Sequence, residues 1–244
     1  MKQRTVMITG ASRGIGAAIA KIFASNGWNL ALTCIRSEER LKALAEKLHA
    51  SYGVTCLTFT GDMGKEEDVQ DCFHQIEQRF GGVRVLINNA GISHVGLFTD
   101  LSLETWDQVM RNNSTSVFLC TRQALPYMLR QRSGSIINIS SVWGCVGASC
   151  ETAYSASKGA VNALTMALSK ELAPSGIAVN AIACGAIDTD MNACFTEEER
   201  SDIAEEIPAG RFGTPEEVAG LVFSVACQPS YLTGQIIRLD GGWI

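Results

Sequence analysis

Between Arg4 and Asn88 short apolar runs alternate with longer segments of helical period, and this alternation leaves the chain few architectures. Strands are read at Arg4–Thr9, Asn29–Cys34, Val54–Thr60 and Val83–Asn88. Helices fall between them: one to about Asn26, one over Ser37–Tyr52 with Leu41, Leu44, Ala45 and Leu48 on one side, and one over Lys65–Phe80. Strands joined this way return parallel, and right-handed crossovers need helices packed on the sheet. The pattern continues with a helical stretch over Ser102–Arg132, broken near Asn112-Asn113, and a buried strand at Ser135–Ile139 that ends in Ser140-Ser141. After it come a helix over Thr152–Ala173, a strand over Ile177–Cys184 and a loop over Gly185–Asn192. Thr196–Glu206 reads as an acidic, mobile helical lid. Thr214-Pro215-Glu216-Glu217 starts a helix with a threonine cap and proline in its first turn, and Gln235–Leu239 is the last strand. No repeat, linker or low-complexity segment intervenes. The expected fold is α/β, a doubly wound parallel sheet with helices on both faces, in one domain over residues 1–244. Ligands of such sheets bind beyond the carboxyl ends of the strands.

Composition narrows the function. A hydrophobic fraction of 46% with 18% charged residues marks a globular chain with ample core. The net charge of −5 gives no electrostatic reason to bind nucleic acid or an anionic membrane. No apolar run approaches the length of a membrane span. The first strand begins too near the N-terminus to leave room for a signal peptide, so a cytoplasmic protein is expected. Nine cysteines (Cys34, Cys56, Cys72, Cys120, Cys145, Cys150, Cys184, Cys194 and Cys227) are an odd number without CxxC spacing. Reduced thiols are therefore expected, with neither a disulfide framework nor a metal site.

Three stretches carry chemistry. Thr9-Gly10-Ala11-Ser12-Arg13-Gly14-Ile15-Gly16 lies between a strand and a helix, where glycines let the backbone approach a phosphate and the helix N-terminus offers free N–H groups. An NAD site would place a carboxylate at the end of the second strand, but Cys34 stands there and no acid follows until Glu38. Arg13 and Arg36 instead suit the 2′-phosphate of NADP(H). Tyr154 and Lys158 lie one helical turn apart, with Ala156, Ala160, Ala163, Leu164, Ala167, Leu168 and Leu172 forming the expected apolar stripe of their helix. An ammonium beside a phenol favours the phenolate and lowers its pKa, making a proton donor or acceptor usable near neutrality. Ser141, at a strand tip thirteen residues earlier, can set its hydroxyl beside the phenol.

With Asn88-Asn89-Ala90-Gly91 and Asn113 added, these motifs stand in the order and spacing of the short-chain dehydrogenase/reductase family, which the chain resembles over essentially its whole length. The resemblance implies a Rossmann-like sheet of about seven strands and a homotetramer. It implies Tyr154 as general acid/base, Lys158 lowering its pKa and holding the nicotinamide ribose, Ser141 bonded to the substrate carbonyl, and Asn113 supporting a water in a proton relay. NADP(H) would be bound by Gly10, Ser12, Arg13, Gly14, Ile15, Gly16, Arg36, Asp62, Met63, Asn89, Ala90, Gly91, Tyr154, Lys158, Gly185, Ile187 and Thr189. Asn89 is expected near the ribose, Asp62 and Met63 at the adenine, and Ile187 and Thr189 at the carboxamide. Where the family commonly has Pro-Gly, this chain reads Cys184-Gly185. A more mobile loop and a thiol near the cofactor are expected from that change.

Within the family the chain is most similar to 3-oxoacyl-acyl-carrier-protein reductases, implying a carrier-bound ketone. An acidic acyl carrier protein would dock on Arg130 and Arg132, while Ser175 replaces a basic residue common in such reductases and Glu197, Glu198 and Glu199 would repel it. Alternatives are the 5-aminopentanone group on elongation factor P, suited to the acidic lid and the Asp188–Asn192 loop, and a small sugar, steroid or diol ketone. A non-catalytic NADP sensor would be expected to lack Tyr154, Lys158 or Ser141, and all three are present.

Overall fold

The computed structural model of the chain describes residues 4–192 and 195–244, so Cys194 lies outside the described residues. Strands β1 (Thr5–Ile8), β2 (Asn29–Cys34), β3 (Cys56–Thr60), β4 (Val85–Asn88), β5 (Gly134–Ser141), β6 (Ile177–Cys184) and β7 (Ile236–Leu239) form one sheet in the order β3-β2-β1-β4-β5-β6-β7, every pair parallel. Every residue of β1, β2, β4, β5 and β6 is buried, because helices cover both faces and leave no solvent side to alternate toward. The chain leaves β1 toward β2 and β3, then returns to start β4 on the other side of β1. That reversal opens a crevice beyond the carboxyl ends of β1 and β4.

On one face lie α1 (Gly14–Ser25), α2 (Glu38–Tyr52) and α9 (Pro215–Ala226), packed on a core that includes Phe23, Leu41, Ile87, Ile182 and Val222. On the other lie α3 (Glu66–Phe80) and α5 (Ser116–Gln131), packed through Ile76, Leu119, Met128 and Ile136. Thr214 caps α9 as expected: its hydroxyl accepts from the Glu217 amide at 3.2 Å while Glu217 accepts from the Thr214 amide at 2.8 Å. β2 and β6 have the expected bounds; β1, β3, β4 and β7 start one or two residues later than expected, and β5 starts one residue earlier.

Two expectations are corrected. Near Asn112-Asn113 the helix is not broken. A π turn over Arg111–Thr115 joins α4 (Leu103–Met110) to α5. The extra residue in the turn directs the buried Asn113 inward. The helix of Tyr154, α7 (Thr152–Leu172), has the expected extent, but its buried face is Ala153, Ser157, Lys158, Val161, Asn162, Thr165, Ser169 and Leu172. Ala156, Ala160, Ala163 and Ala167 are exposed instead.

The reason is that α7 docks through polar groups. Asn138 on β5 donates to Thr165 at 2.9 Å and accepts from Asn88 on β4 at 2.8 Å, while Ser140 donates to Asn162 at 2.6 Å. Satisfied in this way, buried amides and hydroxyls fix a helix in one register. Thr165→Val keeps the shape but strands an Asn138 N–H; we expect a loss of about 1–3 kcal/mol in stability by chemical denaturation.

Candidate active site

The glycine turn meets β4 through side chains. The Thr9 hydroxyl accepts from the amides of Asn89 and Ala90, each at 3.0 Å, and the Asn89 amide donates to the carbonyls of Thr9 at 2.9 Å and Gly10 at 3.0 Å. The side-chain N–H groups of Asn89 are therefore taken up in shaping the turn. Gly10 has φ +65° and a side chain there would stand 2.9 Å from the Ala90 Cα; one at Gly16 would stand 2.4 Å from the Gly10 carbonyl oxygen. Only glycine fits either position. Ser12 is half-buried in the turn and Ile15 packs on the core below it. Helix α1 has no side-chain cap, so the amides of its first turn stay open to an acceptor such as a phosphate. The cradle fits a dinucleotide.

Arg13, the residue before α1, reaches Asp190 at 3.5 Å, and Arg40 reaches the same carboxylate oxygen at 3.9 Å. The sequence reading missed Arg40, although it lies one helical turn beyond Arg36. Arg36 itself is exposed and enters no ion pair among the described residues. Thr189 lies over the turn, where a side chain at Gly14 would meet its methyl group at 3.4 Å. Asp62, beyond β3, accepts from the Gly64 amide at 2.9 Å; the Met63 side chain is buried in the core, so only its backbone can face a ligand. The Ile187 side chain is likewise core, and its backbone bridges to Gly213.

At the tips of β4 and β5 a second group converges. Asn113 donates to the Ile92 carbonyl at 2.9 Å and to the Ser157 hydroxyl at 2.9 Å, and accepts from the Ile92 amide at 2.8 Å. Ser157 passes its own proton to the Tyr154 carbonyl at 2.7 Å. Lys158 donates to the Ile139 carbonyl at 2.8 Å, with its ammonium 5.6 Å from the centre of the Tyr154 ring. A side chain at Gly91 would meet Asn113 Oδ1 at 3.2 Å and Lys158 Nζ at 3.4 Å, so all three adjoin. Ser141 accepts from the Trp143 amide at 3.2 Å and hydrogen-bonds Tyr154. Trp143, in the short helix α6 (Trp143–Val146), stands edge-on to Trp243 with ring centres 4.9 Å apart.

Burial dominates the electrostatics of the pair. Burial pushes Tyr154 above the usual phenol value; the Ser141 hydrogen bond opposes that, and the nearby Cys184 and Glu151 add to it. Burial brings Lys158 down to about 8, against a smaller upward pull from Cys184. Burial also pushes Cys184 up to about 12, with Lys158 working the other way. The thiol lies beside the pair, and hydrogen bonds hold the backbone at residues 184 and 185. The Cys184 carbonyl accepts from Val142 at 3.0 Å, and the Gly185 amide donates to Leu239 at 3.0 Å. A side chain at Gly185 would stand 2.9 Å from Asp240 Cα.

The acidic helix α8 (Glu197–Glu206) buries no residue and is held at its ends. Arg200 donates to Asp188 at 2.8 Å, and Trp243 donates to Glu206 at 3.4 Å. Arg130 and Arg132 are not at the cleft mouth. They end α5, just before β5 begins. At about 3.3 Å per residue, that strand separates Arg132 from Ser141 by roughly 25 Å. Among the described residues no cluster of three metal-binding side chains occurs, and no helix is long and apolar enough to cross a membrane.

Residues 4–200 match the family model described as short chain dehydrogenase. A 3-oxoacyl-[acyl-carrier-protein] reductase of Aquifex aeolicus is 41% identical over 243 residues, covering 99% of this chain and 98% of the relative. An uncharacterized oxidoreductase of Bacillus subtilis is 41% identical over 241 residues, covering 98% of each. A 3-oxoacyl-[acyl-carrier-protein] reductase of Staphylococcus aureus is 38% identical over 240 residues, covering 98% of this chain and 97% of the relative.

Two measurements test these electrostatics. Asp190 competes with any phosphate for Arg13 and Arg40, so Asp190→Asn is expected to tighten NADPH binding by roughly 3- to 10-fold, with little change for NADH, by fluorescence titration. Lys158 has a lowered pKa in the folded state, so between about 8 and its unfolded value of 10.5 the unfolded chain binds more protons and stability gains with pH. Lys158→Met removes that gain; the difference between the two proteins should shrink by on the order of 2–3 kcal/mol of penalty from pH 8 to 10.5 in denaturant titrations.

Proposed function

The chain belongs to the short-chain dehydrogenase family and is an oxidoreductase of CH–OH and C=O groups, and from that premise we propose that it reduces a ketone with NADPH. The family uses NAD(P)(H). The preference for the phosphorylated form is supported by Arg13 and Arg40 turned to one point, and by Cys34 where a ribose-binding carboxylate would stand. The turn over Gly10–Gly16 would hold the pyrophosphate, Asp62 and the Met63 backbone the adenine, and Asn89, Ala90, Gly91, Lys158 and the Gly185–Thr189 segment the nicotinamide half. When bound, the reduced nicotinamide supplies the hydride.

The observation that carries the reading is the convergence of Ser141, Tyr154 and Lys158, braced by Asn113. As a carbonyl carbon gains hydride, the π electrons move to oxygen, and the hydroxyls of Ser141 and Tyr154 donate to the growing negative charge. Tyr154, resting protonated because its pKa is raised, gives up its proton and completes the alcohol. Lys158 steadies the phenolate left behind. Asn113 and Ser157 anchor the route by which a proton returns.

The relatives' names favour a 3-oxoacyl thioester as substrate, with a 3-hydroxyacyl product and an acyl carrier protein as partner. A ketone bearing an amine, such as 5-aminopentanone on elongation factor P, is the second reading, favoured by the Glu151 carboxylate three residues before Tyr154 at the start of α7 and by the acidic helix α8. The exposed alanines of α7, with Phe118 and Met166 exposed nearby on the helical face, support assembly as a homotetramer. A cytoplasmic protein acting as one catalytic domain fits this reading.

NADPH consumption with acetoacetyl thioesters and simple ketones tests the proposal. Tyr154→Phe should lower kcat/KM by at least about 100-fold while NADPH still binds. Saturable NADPH binding without reduction of any carbonyl would instead favour a sensor.

A further inference from the structure

Trp143 follows Ser141 by two residues and Trp243 follows β7 by four, so the two indoles rise from the carboxyl ends of β5 and β7. Strand β6 runs between those strands, which therefore stand roughly 10 Å apart. The rings nonetheless meet, with centres 4.9 Å apart and planes inclined at 60°. They close over the tip of β6, on the side of the crevice away from β1 and β4. Both are half-buried, so each keeps some aromatic surface open. Neither is free to fold away. Helix α6 is pinned to α7: Asn162 donates to the Gly144 carbonyl at 3.0 Å, and a side chain at Gly144 would stand 2.7 Å from the Lys158 carbonyl carbon. The Trp143 amide donates to the Ser141 hydroxyl oxygen at 3.2 Å, which ties this residue to the group that would hold a ketone oxygen. On the other side, the Gly242 amide donates to the Asp240 carboxylate at 3.0 Å and the Ala209 amide to the Gly241 carbonyl at 3.1 Å. The Trp243 ring N–H is engaged by Glu206 of α8 at 3.4 Å, so Trp243 offers the cleft ring surface and not a donor.

We infer that Trp143 and Trp243 form an aromatic wall of the substrate cleft and select a ketone that carries a flat unsaturated ring a few bonds from its carbonyl. The inference rests on the reductase reading and names the substituent that the same site prefers. With the glycine turn on the β1 and β4 side and the carbonyl oxygen on Ser141 and Tyr154, a substituent of the ketone that points toward β7 meets the wall. Two ring planes at 60° give a planar group one face to stack on and one edge to meet. Those are the offset and edge-to-face arrangements that aromatic quadrupoles favour, whereas a saturated ring of similar size gains from burial alone.

The probes are 4-phenylbutan-2-one and 4-cyclohexylbutan-2-one, whose carbonyls are alike in reactivity because methylenes insulate them from the ring. The readout is the ratio of their kcat/KM values with NADPH, and butan-2-one, too short to reach the wall, is the reference. The wild-type protein should favour the phenyl ketone by roughly 3- to 10-fold. Trp143→Leu should bring the ratio to about one with butan-2-one turnover unchanged. Trp243→Leu should lower it partway, and Trp243→Phe should preserve it. NADPH titration of each variant reports whether the site is folded. Equal use of both ring ketones by the wild type, or a preference that survives both leucine substitutions, would overturn the inference and leave the reductase reading standing. Lost turnover of butan-2-one in the leucine variants with an unchanged ratio would make the pair a clasp for the C-terminus and overturn it too. Failure to reduce any carbonyl would remove the reductase reading, and the inference with it.

Discussion

Helix α7 is held on the sheet by hydrogen bonds more than by apolar contact, and the position of every group around Tyr154 descends from that attachment. Thr165 and Asn162 take their partners from alternate residues of β5, Asn138 and Ser140, so the helix cannot slide without stranding buried donors. Ser157 ties the next turn to Asn113, and Lys158 ends on the Ile139 carbonyl. A purely apolar interface would tolerate small shifts. A ladder of amides and hydroxyls does not, and a proton donor that must meet a carbonyl oxygen within hydrogen-bonding reach needs that intolerance.

The same burial that fixes the pair also sets its charge. Lys158 sits without a carboxylate partner among the described residues, beside a thiol that burial keeps protonated. Its positive charge is therefore not quenched in advance and is available to an anion formed next to it. A salt-bridged lysine would have satisfied its own solvation and offered less to a developing phenolate. The raised pKa of Tyr154 and the lowered pKa of Lys158 express one condition: burial disfavours the charged form of each.

Much of this was legible in the sequence because it is local. The strand-turn-helix around Gly10, the cap at Thr214 and the spacing of Tyr154 and Lys158 each depend on residues within one or two turns of chain. The face of α7 was not legible. Its period was read correctly, but alanines at 156, 160, 163 and 167 look apolar from sequence, while the buried side holds Ser157, Asn162 and Thr165, whose partners Asn113, Ser140 and Asn138 lie far away in the chain. Arg40 was missed for a similar reason. Its link to Arg13 is made by Asp190, far along the chain. Arg130 and Arg132 close α5 just before β5 starts, so they lie at the amino end of that strand, opposite the crevice; this followed from the order of elements, and the docking expectation rested on charge alone.

The π turn over Arg111–Thr115 carries a consequence for chain length. A regular helix advances about 100° per residue, so the one surplus residue there rotates everything after it relative to α4 by about that angle. Deleting any single residue between Met110 and Ser116 would let the helix become regular, and would swing Asn113 off Ile92 or swing the α5 side chains off α3. Spacing across this segment is then as fixed as the identity of Asn113 itself, although the sequence there reads as a break between two helices.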